Sequence, residues 1–266
     1  MKKILVLNGS PKGKGNTFEF SKKVEQVLDE LKPSGFEFEY FFLKEKNLSL
    51  CKGCFTCLTK GEHLCPLSDD TVFTELRAKM HNADGIIFAC PTYTMNISWM
   101  MKNFMDRFAF MGHRPEYFDK PSLLVSTTGG VGLKECFDAL NYVSAMGFHV
   151  VDKLGTTTVP IKNWDNLDEK TNLSVFSASK KFFDKIYSHK PYRATTGGIL
   201  QYQAFKAIYS GKPDSKKEFP ADFSYWEQKG WLDPKRLYYT DGKLSFFQAL
   251  ISKSFGSLMR KMVKKM

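Results

Sequence analysis

The chain is predicted to fold as a doubly wound α/β domain, a five-stranded parallel sheet with helices on both faces, followed by a helical, aromatic-rich extension. Three observations predict this. Over residues 1–189, short apolar runs alternate with segments whose apolar residues recur at helical spacing, the pattern of βα units. The first apolar run meets a glycine-rich turn that leads straight into a helix. The charge is also uneven: residues 1–189 carry 24 basic and 22 acidic side chains, whereas residues 190–266 carry 15 and 6. Most of the net +11 of this 266-residue chain therefore sits at its C-terminal end. The expected organisation is a domain over residues 1–189 and a basic extension over residues 190–266.

Each element follows from its own residues. Residues 3–7 are a short apolar run suited to a buried parallel strand. Residues 17–31 place Phe20, Val24, Val27, Leu28 and Leu31 on one helical face. Residues 36–43 (FEFEYFFL) begin in alternation and read as the second strand. A helix over 69–83 precedes a third strand at 85–90 (GIIFAC). A methionine-rich helix spans 98–111, a fourth strand 121–127 (PSLLVST), and a further helix 133–146. The fifth strand lies within 148–159, and a long helix covers 168–189.

Composition narrows the class. Hydrophobic residues at 42% and charged residues at 25% are ordinary for a globular protein and exclude disorder. No apolar run approaches the ~18 residues that span a bilayer. The N-terminal apolar stretch, Ile4 to Leu7, is too short for a secretory core, so a cytoplasmic location is expected, where the six cysteines stay reduced or bind metal. Confinement of the positive charge to the tail, with no DNA or RNA motif, argues against a nucleic-acid partner.

Doubly wound sheets bind ligands at the carboxyl ends of their strands. After the first strand comes Asn8-Gly9-Ser10-Pro11-Lys12-Gly13-Lys14-Gly15-Asn16-Thr17. Its glycines admit close approach of backbone amides, Ser10, Asn16 and Thr17 add donors, and the helix that follows directs its positive end there. Such a loop suits a phosphate dianion; the alternative is an ordinary strand-to-helix turn capped by Thr. It is neither a P-loop nor a Gly-x-Gly-x-x-Gly dinucleotide fingerprint. The third strand leads into PTYTMNISWMMKNFMDR, and the fourth into TTGG.

GSPKGKGNT, PTYTMNISWMMKNFMDR and TTGG, in this order, resemble the NADPH-dependent FMN reductase branch of the flavodoxin-like superfamily, over about residues 1–189. The resemblance implies a flavodoxin-like fold that binds FMN. Ser10, Lys12, Asn16 and Thr17 match its phosphate-binding positions. Pro91, Thr92, Tyr93 and Asn96 match the loop lining the isoalloxazine ring, and Thr127, Thr128, Gly129 and Gly130 the loop along its pyrimidine end. Asp106 and Arg107 fit the family's helix motif and are read as structural. Met95, Met100, Met101 and Met105 are read as core or subunit interface. A flavin supplies the redox chemistry itself, so no catalytic side chain is assigned. The five histidines (His63, His81, His113, His149, His189) show no metal spacing.

A second motif lies between the second strand and its helix: Cys51, Cys54, Cys57 and Cys65, spaced C-x2-C-x2-C-x7-C. Three thiolates at intervals of three converge readily on a cluster, and a fourth completes sulfur ligation. The spacing resembles the compact cysteine motif of the iron–sulfur flavoproteins, which pair FMN with a 4Fe–4S cluster. Zinc and metal-free thiols remain open readings. Cys90 and Cys136 are read as packing residues.

In the extension, Tyr225, Trp226, Trp231, Tyr238 and Tyr239 suggest an aromatic arm that packs on the main domain or a neighbouring subunit; covering a flavin is the alternative. Residues 245–266 form a basic amphipathic helix, with Phe247, Leu250, Ile251, Phe255, Leu258, Met259 and Met262 on one side. Docking of that side on the protein is preferred over contact with an anionic membrane. The expected function is an FMN-dependent oxidoreductase, taking electrons from NAD(P)H or a ferredoxin-like donor to a quinone, flavin or other small acceptor. The alternative is an iron–sulfur flavoprotein that carries electrons without a substrate of its own. A homo-oligomer, dimer or tetramer, is expected.

Overall fold

A computed structural model describes residues 1–159, 161, 163–188, 194–211, 214–242 and 244–265. His189 and the expected division at residues 190 and 191 fall outside the described residues.

Strands β1 (Lys2–Asn8), β2 (Phe36–Phe42), β3 (Gly85–Tyr93), β5 (Pro121–Thr128) and β6 (His149–Thr157) pair in parallel in the order β2-β1-β3-β5-β6. This is the flavodoxin-like order, with its switch point between β1 and β3. One short strand escaped the sequence reading: β4 (Asn96–Ile97) folds back antiparallel on the end of β3. Alternation along the strands divides the core. Ile4, Val6, Ile87, Leu123 and Val125 meet Phe20, Val24 and Leu28 of α1 (Asn16–Leu31) and Val175, Ala178 and Phe182 of α6 (Glu169–Ile186). Leu5, Leu7, Ile86, Phe88 and Leu124 face the opposite way. There they pack on α3 (Thr71–Asn82), α4 (Trp99–Arg107) and α5 (Leu133–Leu140), through Leu76, Met80, Met101, Phe104, Cys136 and Leu140. The helices expected to run to residues 111 and 146 stop earlier, each passing into 3-10 turns, Ala109–Gly112 and Asn141–Met146. One turn of helix, α2 (Thr56–Thr59), lies in the cysteine segment.

The extension contributes α7 (Thr196–Gly211), α8 (Ser215–Glu218), α9 (Pro220–Gln228) and α10 (Phe246–Val263). Tyr202, Tyr209, Trp226, Trp231 and Tyr239 form their own buried cluster against Phe118. The aromatics therefore pack structurally. Trp226 donates its indole N–H to the carbonyl of His113 at 2.7 Å, and Gln201 donates to those of Gly112 and Ala145. The expectation that α10 docks through its apolar side is corrected. Ser252, Gly256 and Val263 are the buried residues, while Phe247, Leu250, Ile251, Leu258 and Met262 are exposed. The cause is polar. Gln203 of α7 donates to the Ser252 hydroxyl at 2.7 Å, which donates in turn to the Leu237 carbonyl, and a Cβ on Gly256 would collide with Gln203. These bonds fix the rotation of α10. Among the described residues no helix is long and apolar enough to cross a membrane.

Candidate functional site

The three predicted loops converge at the carboxyl end of the sheet. Asn8, the last residue of β1, accepts from the Ser10 amide with its side-chain oxygen, an Asx turn that shapes the start of the first loop. Ser10 accepts from the Lys12 amide, and Gly13 sits at φ +63°, a conformation glycine adopts at no steric cost. Helix α1 has Gly15 at its N-cap and no side-chain cap. The Thr cap of the alternative reading is thus not found: the buried Thr17 hydroxyl meets that of Thr127 at 2.7 Å. That contact ties the first loop to the third. Ser10 is buried, and the Lys12 and Asn16 side chains lie exposed at the rim.

The second loop is a two-residue hairpin. Thr92 pairs with Ile97 and Tyr93 with Asn96, so Thr94 and Met95 form the turn, both at positive φ (49° and 55°). This is a type I′ arrangement that glycine and asparagine usually supply, and a β-branched Thr there is strained. Pro91 is buried, Thr92 half-buried and hydrogen-bonded to Ser126 at 3.2 Å, and Tyr93 and Asn96 are exposed. Ser98 then caps α4 and donates its hydroxyl to the Gly9 carbonyl at 2.5 Å, joining the second loop to the first. In the third loop Thr127 and Thr128 are buried, and Gly129 and Gly130 are exposed with open space above them. Thr128 donates to the Val131 carbonyl and accepts from the Gly130 amide. A Cβ on Gly132 would come within 2.9 Å of Thr92 and Met95, so the second and third loops touch. Beneath them Cys90 and Cys136 are buried, and Ser126 donates to the Cys136 sulfur at 3.3 Å.

An uncapped helix end, two buried hydroxyls beside it, and two loops of backbone and hydroxyl groups fit a flavin mononucleotide. Direct contacts hold the three loops to one another.

The cysteine segment lies at the same sheet edge, after β2. All four thiols, Cys51, Cys54, Cys57 and Cys65, line one small pocket, with Leu67, Phe73 and Arg107 completing it. Among the described residues no three His, Cys, Asp or Glu side chains are placed to hold a metal ion. The thiols share a pocket but are not drawn together on one point. Burial pushes the Cys57 thiol up, and the other three cysteines add to the shift. Hydrogen bonding from Thr56 lowers exposed Cys54.

Three clasps that the sequence reading missed hold this segment. Asp70 caps α3 through the amides of Val72 and Phe73, and its second oxygen accepts from the Ser49 amide at 2.9 Å. Asn103 of α4 accepts from the Cys51 amide at 3.0 Å and donates to the carbonyls of Leu48 and Ser49. Arg114 donates to the Cys57 carbonyl at 2.9 Å and pairs with Glu62 and with Asp222 of the extension. Of the three, only Asp70 carries a local signal, an Asp at a helix start, and the expected helix over 69–83 took it inside. The structural reading of Arg107 is specific here: it donates to the Leu67 carbonyl, pairs with Asp70 at 3.5 Å and covers the Phe73 ring. Asp106 pairs with Lys102. Of the methionines, Met101 and Met105 are core and Met95 is exposed.

Residues 2–158 match the NADPH-dependent FMN reductase family. An iron–sulfur flavoprotein of Archaeoglobus fulgidus is 32% identical over 237 residues, covering 87% of this chain and all of that protein. A second, from Clostridioides difficile, is 29% identical over 240 residues, covering 85% of this chain and 98% of its own. The fold is similar to that of an FMN-dependent NADH-azoreductase from Bacillus anthracis in complex with FMN. That likeness has a TM-score of 0.54 and 13% identity, over 68% of this chain and 100% of the other. With the three loops assembled and more than half its length matched, the chain belongs to the NADPH-dependent FMN reductase family, among the relatives of the iron–sulfur flavoproteins.

Proposed function

We propose that this FMN-dependent oxidoreductase holds a second redox centre, a 4Fe–4S cluster on Cys51, Cys54, Cys57 and Cys65. It would move electrons from NAD(P)H or a ferredoxin-like donor to a quinone, flavin or other small acceptor. The observation that carries the reading is α4, which touches both sites. Ser98 at its start bonds Gly9 of the phosphate loop, Asn103 bonds the Cys51 backbone, and Arg107 at its end bonds Leu67. At ~1.5 Å rise per residue, Asn103 stands about 7.5 Å along the axis from Ser98, so the centres would be neighbours.

In this reading Ser10, Thr17 and the first amides of α1 hold the FMN phosphate, with Lys12 and Asn16 at its rim. Pro91, Thr92, Tyr93 and Asn96 border the ring, and Thr127, Thr128, Gly129 and Gly130 its pyrimidine edge. Bound flavin supplies hydride and single-electron chemistry, so the chain's task is to orient it and the substrate. The C-x2-C-x2-C-x7-C spacing of four thiols that line one pocket, and the likeness to iron–sulfur flavoproteins, support a cluster over zinc. Cys51 and Cys54 are exposed, which favours a second reading in which a protein partner collects electrons at the cluster. Anaerobic NADPH and NADH oxidation, assayed with quinone, flavin and azo acceptors, separates the two. Turnover with any of them supports the reductase. Rapid reduction of the protein by a reduced ferredoxin, with no turnover of any of these acceptors from either donor, supports the carrier.

A further inference from the structure

Helix α10 has a buried inner seam and an exposed apolar outer side. Its inner seam, Ser252, Gly256 and Val263, is locked on α7 by the Gln203–Ser252 bond, and a Ser245–Gln248 capping box secures its start. Its outer side carries Phe246 and Phe247, 77% and 73% exposed, with Leu250, Ile251, Leu258 and Met262 also open to solvent. Around that stripe and at its C-terminal end Lys253, Arg260, Lys261, Lys264 and Lys265 are exposed as well, and residues 245–265 include no acidic side chain.

We propose that the outer side of α10 docks on an anionic lipid surface. A helix of this kind lies in the plane of the bilayer, with aromatic and aliphatic side chains in the headgroup boundary and lysines over acidic lipids. The charge pattern decides between occupants. A second copy seated on the same stripe would bring two wholly basic helices together and pay for their repulsion, whereas an anionic surface neutralises both apolar exposure and charge. The flavin loops lie at the carboxyl edge of the sheet and take no part, so this inference is independent of the proposed function.

The test is co-sedimentation of the full-length protein with vesicles of phosphatidylcholine alone, or mixed with phosphatidylglycerol, at low and high salt. Size-exclusion chromatography with light scattering is run in parallel. The parent should sediment with the mixed vesicles at low salt, much less at high salt, and not with phosphatidylcholine alone. The variants Phe247→Ser/Leu250→Ser/Leu258→Ser and Lys261→Glu/Lys264→Glu/Lys265→Glu replace exposed side chains only. Each should weaken binding by roughly tenfold or more, with far-UV circular dichroism unchanged. Failure of the parent to sediment with anionic vesicles at low salt overturns the proposal. So does equal binding by either variant, and a shift from dimer to monomer in the Ser variant without vesicle binding identifies a second copy as the occupant.

Discussion

Ser10 and Thr17 are the two buried hydroxyls of the loop proposed to hold the phosphate, and glycine spacing and a helix start frame both in the sequence. Replacing both by Ala should remove two hydrogen bonds to a charged group, about 1.5–3 kcal/mol each, or roughly 10²–10⁴ in FMN affinity. Fluorescence titration of the apoprotein checks this, and unchanged affinity would remove the loop from the site. The expected helix over 69–83 took Asp70 inside it, whereas it is the N-cap; its bond to Ser49, which closes the cysteine segment, depends on a tertiary contact that no local pattern encodes. Burial alone would raise this carboxyl. The amides of Ser49 and Phe73 and the Arg107 guanidinium outweigh it and hold the carboxyl below its ordinary value. A group lowered in the folded state contributes stability that is present above its ordinary pKa and lost as the pH falls through the lowered one. Asp70→Asn should therefore cost about 1–3 kcal/mol at neutral pH and flatten the acid dependence of stability. Urea unfolding at neutral and acid pH measures both, and an unchanged neutral midpoint would contradict it.

Among the elements, the βα alternation of the first part was legible because strands buried on both faces read as continuous apolar runs. The turn between β3 and β4 was not, since Thr94-Met95 has none of the glycine or asparagine chemistry of a type I′ hairpin. That strain should be removable. Thr94→Asn/Met95→Gly is expected to raise stability by about 1 kcal/mol or more, read from the urea midpoint. If the double variant is no more stable than the parent, the two residues are not strained. Helix α7 escaped because it opens on Gly197 and Gly198 and buries Gln203 and Lys206 among its apolar residues, which blurs the helical stripe. The facing of α10 was misread for a related reason. The apolar side is plain in the sequence, but a buried glutamine on another helix decides which side is covered.

Across the molecule, the extension braces the cysteine segment. Asp222 is fully buried, pairs with Arg114 and His113, and accepts from the Tyr209 hydroxyl, while Arg114 reaches on to the Cys57 carbonyl. Breaking a buried pair from one side leaves a charge uncompensated and costs about 3–5 kcal/mol. Asp222→Asn should consequently lower stability and iron content together while FMN stays bound, because the three loops proposed to hold it lie before residue 131. Deleting residues 245–266 should leave both FMN and iron in place, since α10 packs on α7. Loss of flavin from that truncation would tie the tail to the active site instead.

The central claim is that one chain holds FMN in its three loops and a four-iron cluster on its four-cysteine segment, linked through α4. The direct measurement is the content of flavin, iron, acid-labile sulfide and zinc in protein purified anaerobically, for the parent and for Cys54→Ala. The account predicts one FMN with about four iron and four sulfide per chain in the parent, and retained FMN with the cluster lost or depleted in the variant. Stoichiometric zinc, protein without metal after reconstitution with iron and sulfide, or FAD in place of FMN would contradict it.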